Sequence, residues 1–162
     1  MTGRVPSVTS WDLPYRAMRG SDGTGAVYRS GLVPGVEVSF VAVNDIVLPI
    51  GTYGLVDSGA DRSVLPASWA ARLGIDIAED CVAVTARTAG GQVQNFECNR
   101  GIEVVIVGQR LTLRAAFSEG VPWVLLGRDD FFHHFDVSFK HREQQFTLSL
   151  PPDVRVKLHH AE

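Results

Sequence analysis

"TYGLVDSGADRSVLP", residues 52–66, sets a short apolar run against an abrupt Asp-Ser-Gly and then returns to apolar residues. Tyr53 to Val56 read as a strand, and Asp57, Ser58 and Gly59 as the polar loop it feeds. The same switch recurs in "VPWVLLGRDDFF", residues 121–132, where an apolar strand runs into Gly127 and then Arg128. Taken alone, Asp57 would serve as an Asx-turn residue, the ordinary role of Asp-Ser-Gly at a strand end. Two such switches, about seventy residues apart, ask for more than a turn.

Outward from this stretch the texture is that of a mainly β chain. "VEVSFVAV" alternates Val36, Val38 and Phe40 against Glu37 and Ser39, and "IVLPIGTYGLV" is a second extended region interrupted at Pro49 and Gly51. "PASWAARLG" is the helix candidate of the first half: Pro66 suits a first turn, Trp69 and Leu73 fall at i and i+4, and Gly74 suits the stop. "CVAVTART" and "QVQNFEC" flank Ala89, Gly90 and Gly91 as a long hairpin with a flexible tip. "IEVVIVGQRLTLRAAF" reads as two strands around a Gly-Gln turn, and "DDFFHHF" as a short helix whose first turn carries Asp129 and Asp130. "FDVSF" and "QQFTLSL" form a last hairpin. The expected organisation is an irregular lead-in over 1–34, one domain over 35–150 and a tail over 151–162 that begins with Pro151 and Pro152.

Composition excludes several classes of function. A chain of 162 residues can bury a core without metals or disulfides. A net charge of −3 offers no long-range attraction to nucleic acid or to an anionic membrane. No apolar run approaches the length of a membrane span, and "MTGRVPSVTSWDLPYR" lacks the apolar core of a secretory signal, so a cytoplasmic location is expected. Two cysteines, Cys81 and Cys98, make no disulfide scaffold and no zinc site. His133 and His134 have no further histidine at ligand spacing, and no metal or cofactor is expected.

"LVDSGADRSVLP" followed by "VLLGRD" resembles the retropepsin-like aspartic proteases, the single-domain type of retroviruses and their bacterial relatives. The resemblance spans about Val36 to Leu150 and implies a closed, barrel-like β fold with one or two short helices. It also implies an activity, hydrolysis of peptide bonds. Amide hydrolysis needs one group to activate water and another to protonate, and two carboxylates sharing a proton do both because like charges held close cannot both ionise comfortably. D-[ST]-G occurs once in this chain, so the second aspartate would come from a homodimer, with both Asp57 carboxylates at the two-fold axis.

Further roles follow by resemblance. Asp57 is the implied catalytic carboxylate, and Ser58 the hydroxyl that holds the two loops together across the axis. Gly59, Ala60 and Asp61 would meet the substrate backbone, with Gly90 and Gly91 closing over it from the flap. Gly127 would let its strand pack under the active loop, and Arg128 would pair with Asp61. Arg62 departs from the small or acidic residues common at its position, and the flap tip lacks the bulky aliphatic residue of some relatives. The implied partners are a second copy of the chain and a peptide or protein substrate. Two alternatives stay open: a catalytically inactive dimer that binds peptides or serves assembly, and a zymogen whose first residues cover the cleft. Finally, a hairpin centred between Ala89 and Gly90 sets Cys81 opposite Cys98, as a redox latch or as simple packing.

Overall fold

The computed structural model describes residues 9–41 and 47–152. Its first departure from expectation lies in the N-terminal lead-in, where residues 10–33 are regular. Strand β1 (Ser10–Pro14) is followed by a hairpin of β2 (Arg16–Ser21) and β3 (Val27–Val33). The hairpin is anchored by Met18, buried beside Gly35, and by the backbone of Gly20, so close to the Pro122 carbonyl that no Cβ would fit. Residues 1–8 and 153–162, which include His159 and His160, lie outside the described residues.

The alternation in "VEVSFV" forms β4 (Gly35–Val41), with Val36, Val38 and Phe40 buried and Glu37 exposed. Its antiparallel partner β5 (Val47–Val56) runs as one strand through Pro49 and Gly51, and the register shifts between Ser39 and Val41. The remaining strands are β6 (Val64–Pro66), the hairpin β7 (Cys81–Thr88) and β8 (Gly91–Cys98), β9 (Ile102–Ile106), β10 (Gln109–Leu113), β11 (Ala116–Ser118) and β12 (Val124–Leu126). The turn between β9 and β10 is Val107-Gly108, one residue earlier than the Gly-Gln turn expected. With β4 and β5 they make one sheet of nine strands in the order β10-β9-β4-β5-β12-β6-β11-β8-β7. After β12 come β13 (Asp136–Lys140) and β14 (Gln145–Ser149), a hairpin whose second strand also takes β1 as an antiparallel neighbour.

The fold is mainly β, as read from the sequence, but among the described residues no closed barrel is formed: β10 and β7 stand at opposite ends of the sheet order. The physical reason lies in the β7–β8 hairpin. Most of its side chains, Val82 among them, are exposed or half-buried, so the hairpin stands clear of the core instead of packing onto β10. Residues 67–73 depart too, forming two 3-10 turns, Ala67–Trp69 and Ala71–Leu73, in place of one α-helix. Pro66 offers no side-chain cap, whereas Gly74 ends the segment at φ +72°, in the left-handed role expected of it. Two α-helices lie wholly within the described residues, both single turns: α1 (Ile77–Asp80) and α2 (Phe131–His134).

Phe40, Phe117, Phe131, Phe135 and Phe146 are the bulky members of the core. The Trp11 ring meets the Phe135 ring edge-on at 6.1 Å, which ties β1 to the segment after α2. Truncating Trp11 to Ala should therefore lower the unfolding free energy by about 2 kcal/mol, roughly half the cost at a fully buried aromatic site. Urea unfolding would show this, whereas a loose lead-in would leave the midpoint unchanged.

Candidate active site

Strand β12 is inserted between β5 and β6, parallel to the first (Leu126 opposite Val56) and antiparallel to the second (Leu125 opposite Val64). Residues 57–63 must therefore step over the end of β12 to pass from β5 to β6. Every bond in the crossing reflects that route. The Asp57 N–H donates to Leu126 O at 3.0 Å, and the Ala60 N–H to Asp57 O at 3.2 Å. In return, Arg128 N–H donates to Ala60 O at 3.0 Å and Asp129 N–H to Asp61 O at 2.8 Å. Gly127 lies under the crossing, where a Cβ would come within 2.5 Å of the Arg62 carbonyl carbon, so only glycine fits without a shift of backbone.

The loop is held in shape from within and from without. The Gly59 N–H donates to Asp57 Oδ1 at 2.9 Å and fixes the carboxylate's orientation. Arg128 forms an ion pair with Asp61 and also donates to Ser58 O at 3.3 Å, spanning the loop. With side-chain exposures of 53% and 80%, this pair contributes orientation more than stability. Ser58, Gly59 and Asp61 are exposed, Asp57 and Ala60 half-buried, so the loop presents its polar groups outward.

A second set of contacts, not singled out from the sequence, anchors the loop from below. Ser63 and Asp130 are both buried. The Ser63 hydroxyl donates to Asp130 Oδ1 at 2.6 Å and accepts from the Gly127 N–H at 3.0 Å. Asp130 also accepts from the N–H groups of Phe131 (2.6 Å) and Arg114 (2.9 Å). Asp130 is thus the N-cap of α2, as a charge at the helix start suggests, and in addition a buried knot of three chain segments, at Ser63, Arg114 and residues 127–131. Burial holds its carboxyl above the ordinary range, against the opposing effect of these three hydrogen bonds. The only signal in the sequence was an aspartate ahead of an apolar turn; its partner Ser63, 67 positions away, was not visible.

The glycines expected in the flap occupy the tip of the β7–β8 hairpin. Gly91 has φ +118°, Gly90 is exposed, and the Thr88 hydroxyl donates to Gly91 O at 3.0 Å. Among the described residues no hydrogen bond joins this tip to the Asp57 loop. The base of the hairpin does reach it: Arg62 Nε lies 3.5 Å from Glu97 Oε1 on β8. Thus the fold brings Asp57, Ser58, Gly59, Ala60, Asp61, Gly127 and Arg128 into one cluster. Gly90 and Gly91 stand apart on the hairpin tip.

The family described as "gag-polyprotein putative aspartyl protease" matches residues 52–132, half of the chain, from the strand before Asp57 to the start of α2. The chain belongs to this family of aspartic peptidases. In fold it is similar to a retropepsin-like aspartic protease from Rickettsia conorii, with a TM-score of 0.56 at 19% identity over 87% of this chain and 99% of that one. It also matches EIAV protease complexed with the inhibitor HBY-793, with a TM-score of 0.44 at 25% identity, covering 64% and 89% of the two chains. Comparison with curated proteins finds no match.

Replacing Asp130 by Asn should test the buried knot. A carboxamide must oppose an N–H to one of three donors, at a cost of roughly 1–3 kcal/mol in urea unfolding. Because the folded-state pKa of Asp130 is raised, the folded chain holds this proton at pH values where the unfolded chain has released it. The advantage of wild type over the variant should therefore be largest below about pH 4 and shrink as pH rises through the folded-state pKa. Unfolding midpoints of the two proteins between about pH 3 and 7 check both statements.

Proposed function

We propose that the chain is an aspartic endopeptidase that acts as a homodimer, with Asp57 of each copy supplying half of a shared dyad. The observation that carries this reading is a single D-[ST]-G loop whose half-buried carboxylate is fixed by the Gly59 N–H, with Ser58 and Gly59 exposed beside it. One carboxylate cannot both accept a proton and donate one; two held at a symmetry axis can.

In the reaction, water sits between the two Asp57 side chains. The ionised carboxylate takes a proton from the water as its oxygen bonds to the scissile carbonyl carbon, while the protonated one gives its proton to the carbonyl oxygen. The tetrahedral species collapses as a carboxyl group returns a proton to the leaving nitrogen, and the C–N bond breaks. The proton inventory belongs to the pair. Ser58 holds the two loops to each other. Gly59, Ala60 and Asp61 align an extended peptide through its backbone, in the manner of an added strand. Arg128 keeps Asp61 in place, Gly127 permits the loop's route, and Gly90 and Gly91 let the flap close and exclude water.

Asp57→Asn is the test. Wild type should cut defined sites in a diverse peptide pool between about pH 4 and 7, and the variant should lose at least ~10³-fold in rate. Light scattering on the same samples should show both proteins dimeric. A dimeric wild type that cuts nothing, yet binds peptides as well as the variant does, would replace the enzyme with a peptide-binding module.

A further inference from the structure

The two cysteines are neighbours at the base of the flap hairpin, with Cys81 directly opposite Cys98 in the ladder. The backbone bonds identify the type of pair. Asn99 N–H donates to Asp80 O at 3.0 Å, the bond that flanks a non-hydrogen-bonded pair, and the N–H of Cys98 turns away to Ala115 O at 3.2 Å. In such pairs the Cα atoms stand about 4.5 Å apart and the side chains are at their nearest, within the ~4.4–6.8 Å range that a disulfide spans. The two cysteines are unbonded, Cys98 buried and Cys81 partly exposed.

Their surroundings differ. Burial, the adjoining Cys98 thiol and the carboxylates of Asp80 and Asp76 push the Cys81 thiol up to about 11, which makes it a poor first attacker. Cys98 lines a cavity of about 480 Å³ that also receives Arg62, Arg100 and Arg114, with Glu97 the one carboxylate on its wall. Arg62 faces Glu97, and Arg100 lies 3.9 Å from Asp80, which leaves the cavity with a positive excess. Such a positive excess attracts anionic reagents.

We propose that Cys81 and Cys98 form a reversible disulfide, made by exchange with a small carboxylate-bearing disulfide that enters the arginine-lined cavity, and that this bond staples the base of the flap hairpin. The Cys98 thiolate attacks one sulfur of the reagent; the reagent's S–S bond breaks, and its other half leaves as a thiolate that takes up the proton Cys98 released. Cys81, held alongside, then attacks the Cys98 sulfur of the mixed disulfide. The second half leaves as a thiol with the Cys81 proton. In sum the two protein thiols are oxidised by two electrons, and one small disulfide is reduced to two thiols. A buried cysteine on the wall of a cationic cavity, faced across the ladder by a second and more exposed cysteine, is an arrangement in which one thiol can resolve a mixed disulfide on the other. The staple closes the hairpin at the end opposite its glycine tip, so it fixes the hinge and not the tip.

The test uses the whole chain and oxidised glutathione in excess, followed by denaturation, alkylation and mass analysis. The expected product has lost two hydrogens, takes up no alkylating reagent, and yields a linked peptide joining Cys81 to Cys98. Its melting temperature should rise by a few degrees and fall back with dithiothreitol. Cys81→Ser should hold one glutathione on Cys98, and Cys98→Ser should be modified at least severalfold more slowly. Arg114→Gln should slow reaction with oxidised glutathione severalfold and leave the rate with uncharged 2-hydroxyethyl disulfide unchanged. Two fully alkylated thiols after oxidation, or links only between molecules, would overturn the pair. Equal rates for the two cysteine variants, or indifference to Arg114→Gln, would overturn the route through the cavity. None of these readings depends on peptide cleavage, so the redox pair and the proposed protease stand or fall separately.

Discussion

The threading of β12 between β5 and β6 is the constraint from which the candidate site follows. Two strands close in sequence would ordinarily pair with each other; here a strand from about sixty residues later separates them. The link between β5 and β6 then has to cross the inserted strand, and the crossing is where the chain places Asp57, Ser58 and Gly59. The two sequence switches are thus halves of one structure: the first supplies the bridge, the second the strand beneath it. Gly127 is dictated by the lack of room under the bridge. Ser63 and Asp130 are dictated by the donors that the crossing leaves in the interior, since a buried N–H or hydroxyl without an acceptor costs about 1–3 kcal/mol. The exposed Asp61–Arg128 pair cannot carry that load, because solvent reduces such pairs to about 0–1 kcal/mol.

What was legible in the sequence was local. The alternation of Val36, Val38 and Phe40 gave the burial of β4 directly, because the side-chain period of a strand is a property of neighbouring residues. The hairpin symmetric about Ala89 and Gly90 was legible for the same reason, and its register sets Cys81 opposite Cys98 as that centre requires. The pairing of Asp61 with Arg128 came from the family resemblance, and the structure contains it. The roles that the resemblance lends to the loop and flap residues belong to the proposed function.

What was not legible depended on distant partners. Residues 10–33 have turn-rich composition and weak alternation, and their strands owe their order to contacts such as β1 on β14 and Gly20 against Pro122. Tertiary context overrides local preference in such segments. Openness of the sheet is a similar case: whether the ends of a sheet meet is settled by tertiary packing, and the apolar residues of "CVAVTART" gave no sign that Val82 would stay exposed. Asp130 looked like a helix-end charge because its neighbours in sequence say so, while its burial is a property of Ser63 and Arg114 folding over it.

The hairpin that fails to close the sheet is the same element that the proposed chemistry needs to move, and the two facts have one cause. A ribbon with mostly exposed faces is held by its own ladder and by whatever ties its base. Here the tip is glycine with a left-handed residue at Gly91, while the base is joined to β11, to Asp80 through the Asn99 N–H and to the candidate loop through Arg62 and Glu97. In the proposed reaction such a ribbon would act as a lever about its base, and small changes there would become large displacements at Gly90 and Gly91. Had the stripe of Val82, Val84 and Ala86 packed down on the sheet, the hairpin would have gained stability at the expense of that freedom. Exposure of the β7–β8 faces and the anchoring of one end are therefore complementary. Control over the lever belongs at the hinge, where Arg62, Glu97, Cys81 and Cys98 all sit.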